Sequence, residues 1–203
     1  MKITIDPGHG GSDPGASFGP LREKEICLGV SVELEHYLRL SQHEVQATRY
    51  ADYNVALPTR VMFANNWRAD FFLSLHCNAD ADDDRPGKPQ ATGSEVWIYP
   101  RSHHGRAVAE HLQKSVAAFF PGRRFRGIKE CVPSATWRRW NDEEKVGSGR
   151  MPLYVLERTI MPAVLIEMAF IDTDQSHVLA EKPTQRKIAE SITAAVNAYA
   201  RHG

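Results

Sequence analysis

The chain has 203 residues, 42% hydrophobic and 25% charged, with 25 Lys+Arg balancing 25 Asp+Glu. That length suits a single buried domain over residues 1–203 and is short for two. The neutral balance, with a pI near 7.1, removes the basic excess that nucleic-acid binding requires, so no such partner is expected.

Residues 3–6 read as the first strand. No charged segment, apolar segment and small-residue cleavage site precedes them, so a secretion signal is expected to be absent from this chain or already removed. No apolar run approaches the roughly 18 residues needed to span a bilayer, and no membrane insertion is expected. The strand opens into Pro7-Gly8-His9-Gly10-Gly11-Ser12-Asp13-Pro14-Gly15, where glycines allow backbone conformations that a side chain forbids. A helix begins near Glu23, because Cys27, Val30, Leu34 and Leu38 then share one face, and Glu23 lies one turn before Cys27 on that face. Residues 44–49 read as a short strand and residues 57–64 as a second helix. The apolar run Phe71-Phe72-Leu73-Ser74-Leu75 ends at His76, the pattern of a central strand buried on both faces.

Residues 80–89 are acidic and rich in Gly and Pro, which predicts a loop, and residues 94–99 read as another strand. The next helix carries Val108, Leu112, Val116 and Phe119 and stops at Pro121-Gly122. Residues 130–150 have no clear period and read as a long excursion flanking the cleft. Trp137 and Trp140 would share a helical face there, for stacking on sugar or for packing onto the body. Residues 153–156 and 163–166 are predicted strands, the second ending at Glu167. Ile188, Ile192, Ala195 and Tyr199 mark a C-terminal helix. This alternation predicts an α/β fold, a single three-layer α/β/α domain with a mainly parallel twisted sheet. Its ligand site is expected at the carboxyl ends of the strands.

A catalytic zinc takes three protein ligands and leaves a position for water. His9, Glu23 and His76 could supply the three, but separations of 14 and 53 residues match no local metal motif such as H-E-x-x-H. Each histidine alone is more often a hydrogen-bonded structural residue. Cys27, Cys77 and Cys131 cannot all pair with one another and form no C-x-x-C spacing, so neither a disulfide scaffold nor a zinc ribbon is expected. Cys77 adjoins His76, but strand alternation turns it to the opposite face, as a small core residue.

Read together, the motifs carry more than their members do. Ile5-Asp6-Pro7-Gly8-His9-Gly10-Gly11 with Asp13-Pro14-Gly15-Ala16 resembles the opening signature of the zinc-dependent N-acetylmuramoyl-L-alanine amidases. In the same order, Arg22-Glu23-Lys24-Glu25 resembles that family's Glu-Lys motif. The run Ala69-Asp70-Phe71-Phe72-Leu73-Ser74-Leu75-His76-Cys77-Asn78-Ala79 is similar to its second histidine motif. Leu156-Glu157-Arg158-Thr159 and Met161-Pro162-Ala163-Val164-Leu165-Ile166-Glu167-Met168-Ala169-Phe170-Ile171 resemble its closing strand. The resemblance runs from residue 3 to the C-terminus and is weakest over residues 124–150, where Arg126-Gly127-Ile128-Lys129 still looks family-like.

The resemblance implies a phosphorylase/hydrolase-like fold and one Zn²⁺ held by His9, Glu23 and His76, with Glu167 as general acid/base. The implied reaction is hydrolysis of the amide between N-acetylmuramic acid and L-alanine of peptidoglycan. It further implies a monomer acting at the wall or periplasm, as a host enzyme or a phage-type lysin. Glu25 competes with Glu23 as the third ligand; its other reading is a solvated first-turn acid favoured by the helix dipole. Glu167 could instead be an ion-pair partner of Arg158. Asp6 could orient a ligand histidine or fix the glycine loop. His36, His43, His103, His104, His111, His177 and His202 are read as surface residues. A noncatalytic wall-binding module would have lost one of the four key residues, whereas a zinc hydrolase of another amide stays open because fold does not determine substrate.

Overall fold

The computed structural model describes residues 1–80, 91–116, 125–139, 150–173 and 176–201. Six strands form the main sheet: β1 Lys2–Pro7, β4 Glu44–Ala47, β5 Phe71–Asn78, β6 Ser94–Ile98, β7 Phe125–Glu130 and β8 Ala163–Phe170. Two-residue strands β2 Ser17–Phe18 and β3 Leu21–Arg22 make a separate small hairpin. The order across the main sheet is β4-β1-β5-β8-β6-β7. All neighbours are parallel except β6 and β8, so the expected mainly parallel sheet is present.

Among the described residues the helices are α1 Glu23–Leu40, α2 Leu57–Trp67, α3 His103–Val116, α4 Ser134–Trp137, α5 Tyr154–Arg158 and α6 Lys182–Ala200, with a 3₁₀ turn at Ser176–Ala180. Strand alternation divides the core in two. Ile3, Ile5, Phe71, Leu73, Leu75, Val96, Ile98, Val164 and Ile166 turn to one face, where they pack against α1, α3 and α6. Phe72, Trp97, Ala163 and Leu165 turn to the other, against Val61 and Ala64 of α2 and Val155 and Leu156 of α5. These are the two helical layers of an α/β/α sandwich. The predicted stripe of α1 is fully covered: Cys27, Val30, Leu34 and Leu38 have no exposed surface. Among the described residues, no helix is long and apolar enough to cross a membrane.

Three expectations change. Residues 153–156 form no strand; Leu153 caps α5, and Leu156 N–H and Glu157 N–H both donate to its carbonyl. A short apolar run carries no period that separates strand from buried helix, and both sides of β8 are already paired, to β5 and β6. Residues 125–130, which had no strand expectation, form edge strand β7. Its charged side chains and Gly127, at φ +106°, obscure the alternation. Finally, β5 and β8 run past His76 and Glu167, so both residues lie within strands rather than at their ends. Of the excursion, β7's last residue and α4 are described; Trp140, like Phe119, Pro121, Gly122, most of the predicted 80–89 loop and His202, lies outside the described residues.

Candidate metal centre

The loop after β1 carries His9, and two buried arginines shape it. Arg49, with no exposed surface, donates Nε to Pro7 O at 3.1 Å and Nη2 to the carbonyls of Gly8 and Lys24, each at 2.7 Å. Arg60 donates Nη1 to Pro7 O and Nη2 to His9 O, both at 2.7 Å. These bonds hold His9 in the left-handed region, at φ +58°, a conformation that costs a non-glycine residue about 1–2 kcal/mol. Gly15, at φ +65°, leaves room for the site itself: an added Cβ would lie 2.5 Å from Glu23 Oε2 and 2.6 Å from His9 Cδ2.

Arg60 is matched by Asp6, which is 1% exposed and accepts from Arg60 Nη1 at 2.8 Å, Thr48 Oγ1 at 2.6 Å and Ser74 Oγ at 2.8 Å. Asp6 therefore serves the loop, the second of its two expected roles, and bonds to no histidine among the described residues. Removing one partner of a buried ion pair leaves an uncompensated charge. Asp6→Ala is accordingly expected to destabilise the protein by about 3–5 kcal/mol in denaturant unfolding, and Asp6→Ala with Arg60→Met by less than the sum of the two single changes. An additive pair would show that the ion pair is not the source.

Glu23 opens α1, whose first N–H groups are met by loop carbonyls: Glu23 N–H by Ala16 O at 2.9 Å and Lys24 N–H by Pro14 O at 3.1 Å. Its carboxylate is 4% exposed and stands between two imidazoles, Oε2 at 3.1 Å from His9 Nε2 and Oε1 at 2.9 Å from His76 Nδ1. It also accepts from Ala16 N–H at 2.8 Å and Cys77 N–H at 2.9 Å. Glu25 is exposed on the same turn, so the structure brings Glu23, not Glu25, to the histidines. Cys77 lies in the core behind the strand, as alternation requires. Asp13 Oδ2 meets His9 Nδ1 at 2.9 Å, the contact by which a carboxylate orients a metal-binding imidazole. Nothing in the spacing of Asp13 distinguished it from Asp6 beforehand.

Burial pushes the Glu23 carboxyl up, but bonds to His76 and His9 outweigh it and hold the group well below the usual carboxylate range. Burial likewise pushes His9 down, while Glu23 and Asp13 more than reverse that and raise it. One donor atom each from His9, Glu23 and His76 lies within 4.8 Å of the others. A carboxylate and two imidazoles fit the donor set of a catalytic zinc.

Glu167 reaches this centre across the sheet, paired in register with His76 on β5 and with Glu95 on β6. Its Oε2 is sealed from solvent without a hydrogen-bond partner among the described residues. Burial, then the negative charges of Glu23 and Glu95, push it well above the usual carboxylate range, against the pull of Lys129. Arg158 instead lies over the Tyr154 ring, 5.9 Å from its centroid. Glu95 went unread in the sequence, although alternation puts it on the Trp97 face. It is 1% exposed and is satisfied by Asn78 and Trp97 at Oε1 and by Arg126 and Lys129 at Oε2. A cavity of about 560 Å³ adjoins the histidines, walled by Asn54, Leu57, Leu153, Tyr154 and Leu165. Its apolar wall suits binding of an organic substrate beside the polar centre.

The profile of the N-acetylmuramoyl-L-alanine amidase family matches residues 3–198. The chain is 34% identical over 203 aligned residues to N-acetylmuramoyl-L-alanine amidase CwlM of Bacillus licheniformis, covering 95% of this chain and 64% of the relative. It is 34% identical to the sporulation-specific N-acetylmuramoyl-L-alanine amidase of Bacillus subtilis, over 85% of this chain and 57% of that protein. The chain thus spans less than two thirds of either curated relative. Among solved structures, N-acetylmuramoyl-L-alanine amidase AmiC2 of Nostoc punctiforme superposes with a TM-score of 0.79 at 28% identity, covering 99% of this chain and 97% of that one.

Proposed function

Because the chain belongs to the N-acetylmuramoyl-L-alanine amidase family, we propose that it hydrolyses the amide joining the lactyl group of N-acetylmuramic acid to L-alanine in peptidoglycan. In this reading residues 1–203 are one catalytic domain. His9, Glu23 and His76 hold one zinc ion, and Glu167 is the general acid/base. The observation that supports it most is the meeting of two imidazoles and a buried carboxylate from three separate elements, with Glu167, whose Oε2 has no hydrogen-bond partner among the described residues, paired in register with His76.

When bound, zinc supplies a Lewis acid that polarises the scissile carbonyl and acidifies water. Glu167 then takes the water's proton and returns it to the leaving nitrogen of L-alanine. Its raised affinity for a proton suits the second transfer, and a cation in the cradle opposes the negative field of Glu23 and Glu95, favouring the ionised form needed for the first. Asp13 holds the His9 ring, and the arginine-braced loop holds His9 itself. No serine or cysteine nucleophile is required. The substrate places the site of action outside the cytoplasm.

The test is mass spectrometry of digested sacculi. Stem peptides with a free L-alanine amino terminus and glycan strands with intact lactyl groups are expected. Cleavage inside the peptide or between sugars would overturn the assignment and favour a hydrolase of another bond on the same fold.

A further inference from the structure

We infer that Arg126 and Lys129 form a subsite for a carboxylate of the stem peptide, across the sheet from Glu167; the inference rests on the amidase reading above. Both belong to the Arg126-Gly127-Ile128-Lys129 motif, which the proposed chemistry leaves unused. Side chains three positions apart on a strand ordinarily face opposite ways. Here β7 advances from Phe125 to Ile128 while β6 advances from Ser94 to Val96, so β7 carries one extra residue. Gly127, at φ +106°, takes a bend that a side chain would resist. The two cations thereby reach the same atom: Arg126 Nε lies 3.1 Å and Lys129 Nζ 2.6 Å from Glu95 Oε2. One buried carboxylate offsets only one of their two charges. The neighbouring acid, Glu130, is engaged by Arg106 at 2.6 Å, and neither cation bonds Glu167 among the described residues. Arg126 spends Nε on Glu95, and its Nη1 and Nη2 have no acceptor among the described residues. The Arg126 and Lys129 side chains are 35% and 33% exposed while Glu95 is sealed, so the surplus positive charge is presented to solvent. Arg126 lies over the Phe170 ring at 5.0 Å and Lys129 over the Trp97 ring at 5.1 Å, contacts that hold both heads in place.

The position suits the leaving half of the substrate. Because β6 runs antiparallel to β8 and β7 parallel to β6, the first residues of β6 and β7 lie at the end of the sheet where β5 and β8 carry His76 and Glu167. A general acid protonates the leaving nitrogen, so the stem peptide departs on the Glu167 side, towards β6 and β7. The acyl half then falls to the cavity walled by Gly8, Leu57 and Tyr154. Neighbouring strands lie about 4.8 Å apart, which puts β7 roughly 10 Å from β8. An extended peptide advances about 3.3–3.6 Å per residue. A carboxylate two or three residues beyond the scissile amide therefore meets the pair, and a guanidinium grips a carboxylate through its paired N–H groups.

The test uses the zinc-loaded Glu167→Gln chain, so that binding is read without turnover. The probes are two forms of N-acetylmuramoyl-L-alanyl-D-glutamate, one with both glutamate carboxyls free and one with both amidated, titrated by calorimetry. The free form should bind about 5–20-fold tighter than the amidated one. Adding Arg126→Gln or Lys129→Gln should shrink that preference and leave affinity for the amidated form unchanged, and Arg126→Lys, which keeps the charge, should retain most of it. Equal affinity for the two forms, no binding of either, or an equal loss for both on substitution would each overturn the subsite. A purely structural role for the pair predicts the equal loss. The sacculus digest judges the amidase reading separately: a chain that releases L-alanyl peptides but shows no carboxylate preference loses only the subsite, and one that keeps the preference but cuts another bond loses only the amidase assignment.

Discussion

Glu167→Gln is expected to lower turnover of peptidoglycan by about 10²–10⁴-fold, the range for loss of a general acid/base, while zinc content stays at that of the unaltered protein. The amide keeps the size of the carboxyl but cannot carry a proton between water and nitrogen. Oε2 is buried with no hydrogen-bond partner among the described residues, so the substitution breaks no bond to them there and removes a group that burial and two neighbouring carboxylates disfavour in its charged form. Melting temperature is therefore expected to stay level or rise. Loss of activity together with loss of stability would point to a structural carboxylate, and retained activity would remove Glu167 from the mechanism. Metal analysis, thermal melting and product release on one preparation separate these outcomes.

Chelation is expected to stop the reaction and added zinc to restore it, whereas Glu23→Ala should weaken zinc binding by more than about 100-fold, beyond the loss typical of a supporting residue. The pH dependence carries the sign of the shifts. In metal-free protein, the depressed Glu23 contributes stability above its ordinary value of 4.5, lost as pH falls through its lower folded value. The raised His9 contributes below its ordinary value of 6.5, lost as pH rises through its higher folded value. The empty cradle is thus steadiest between about pH 4.5 and 6.5, as an imidazolium–carboxylate contact. Zinc requires the imidazole without that proton, so its affinity strengthens as pH climbs. Thermal melts from pH 5 to 8 should show the zinc-dependent gain widening with pH; a constant gain would mean that His9 is not displaced from its proton by metal.

The sequence made the central parts of this arrangement legible for different reasons. The α1 stripe and the Phe71–Leu75 run were plain because burial on one face of a helix, or on both faces of a strand, leaves a repeat that can be counted. His9, Glu23 and His76 had no such repeat. They are joined only by the parallel pairing of β1 with β5 and by the helix start beside them, and family order supplied what spacing could not. Arg49 and Arg60 were missed because a buried arginine looks like a surface one until its carbonyl partners are known; the faint sign for Arg60 was its position one turn before Ala64 on the covered side of α2. Glu95 was hidden similarly, by two cations arriving from a strand whose own alternation is broken. The strand expected at 153–156 failed for want of length.

That broken alternation in β7 also shapes the outer margin of the sheet among the described residues. A sheet margin with a free row of amide and carbonyl groups is a template for a second chain. Here the outermost strand carries Arg126, Lys129 and Glu130, bends at Gly127, and slips register against β6 between Ser94 and Val96. A straight incoming strand would meet a charged edge interrupted by a glycine in the positive-φ region. The irregularity that concealed β7 in the sequence is thus of the kind that disfavours a further strand at a sheet margin.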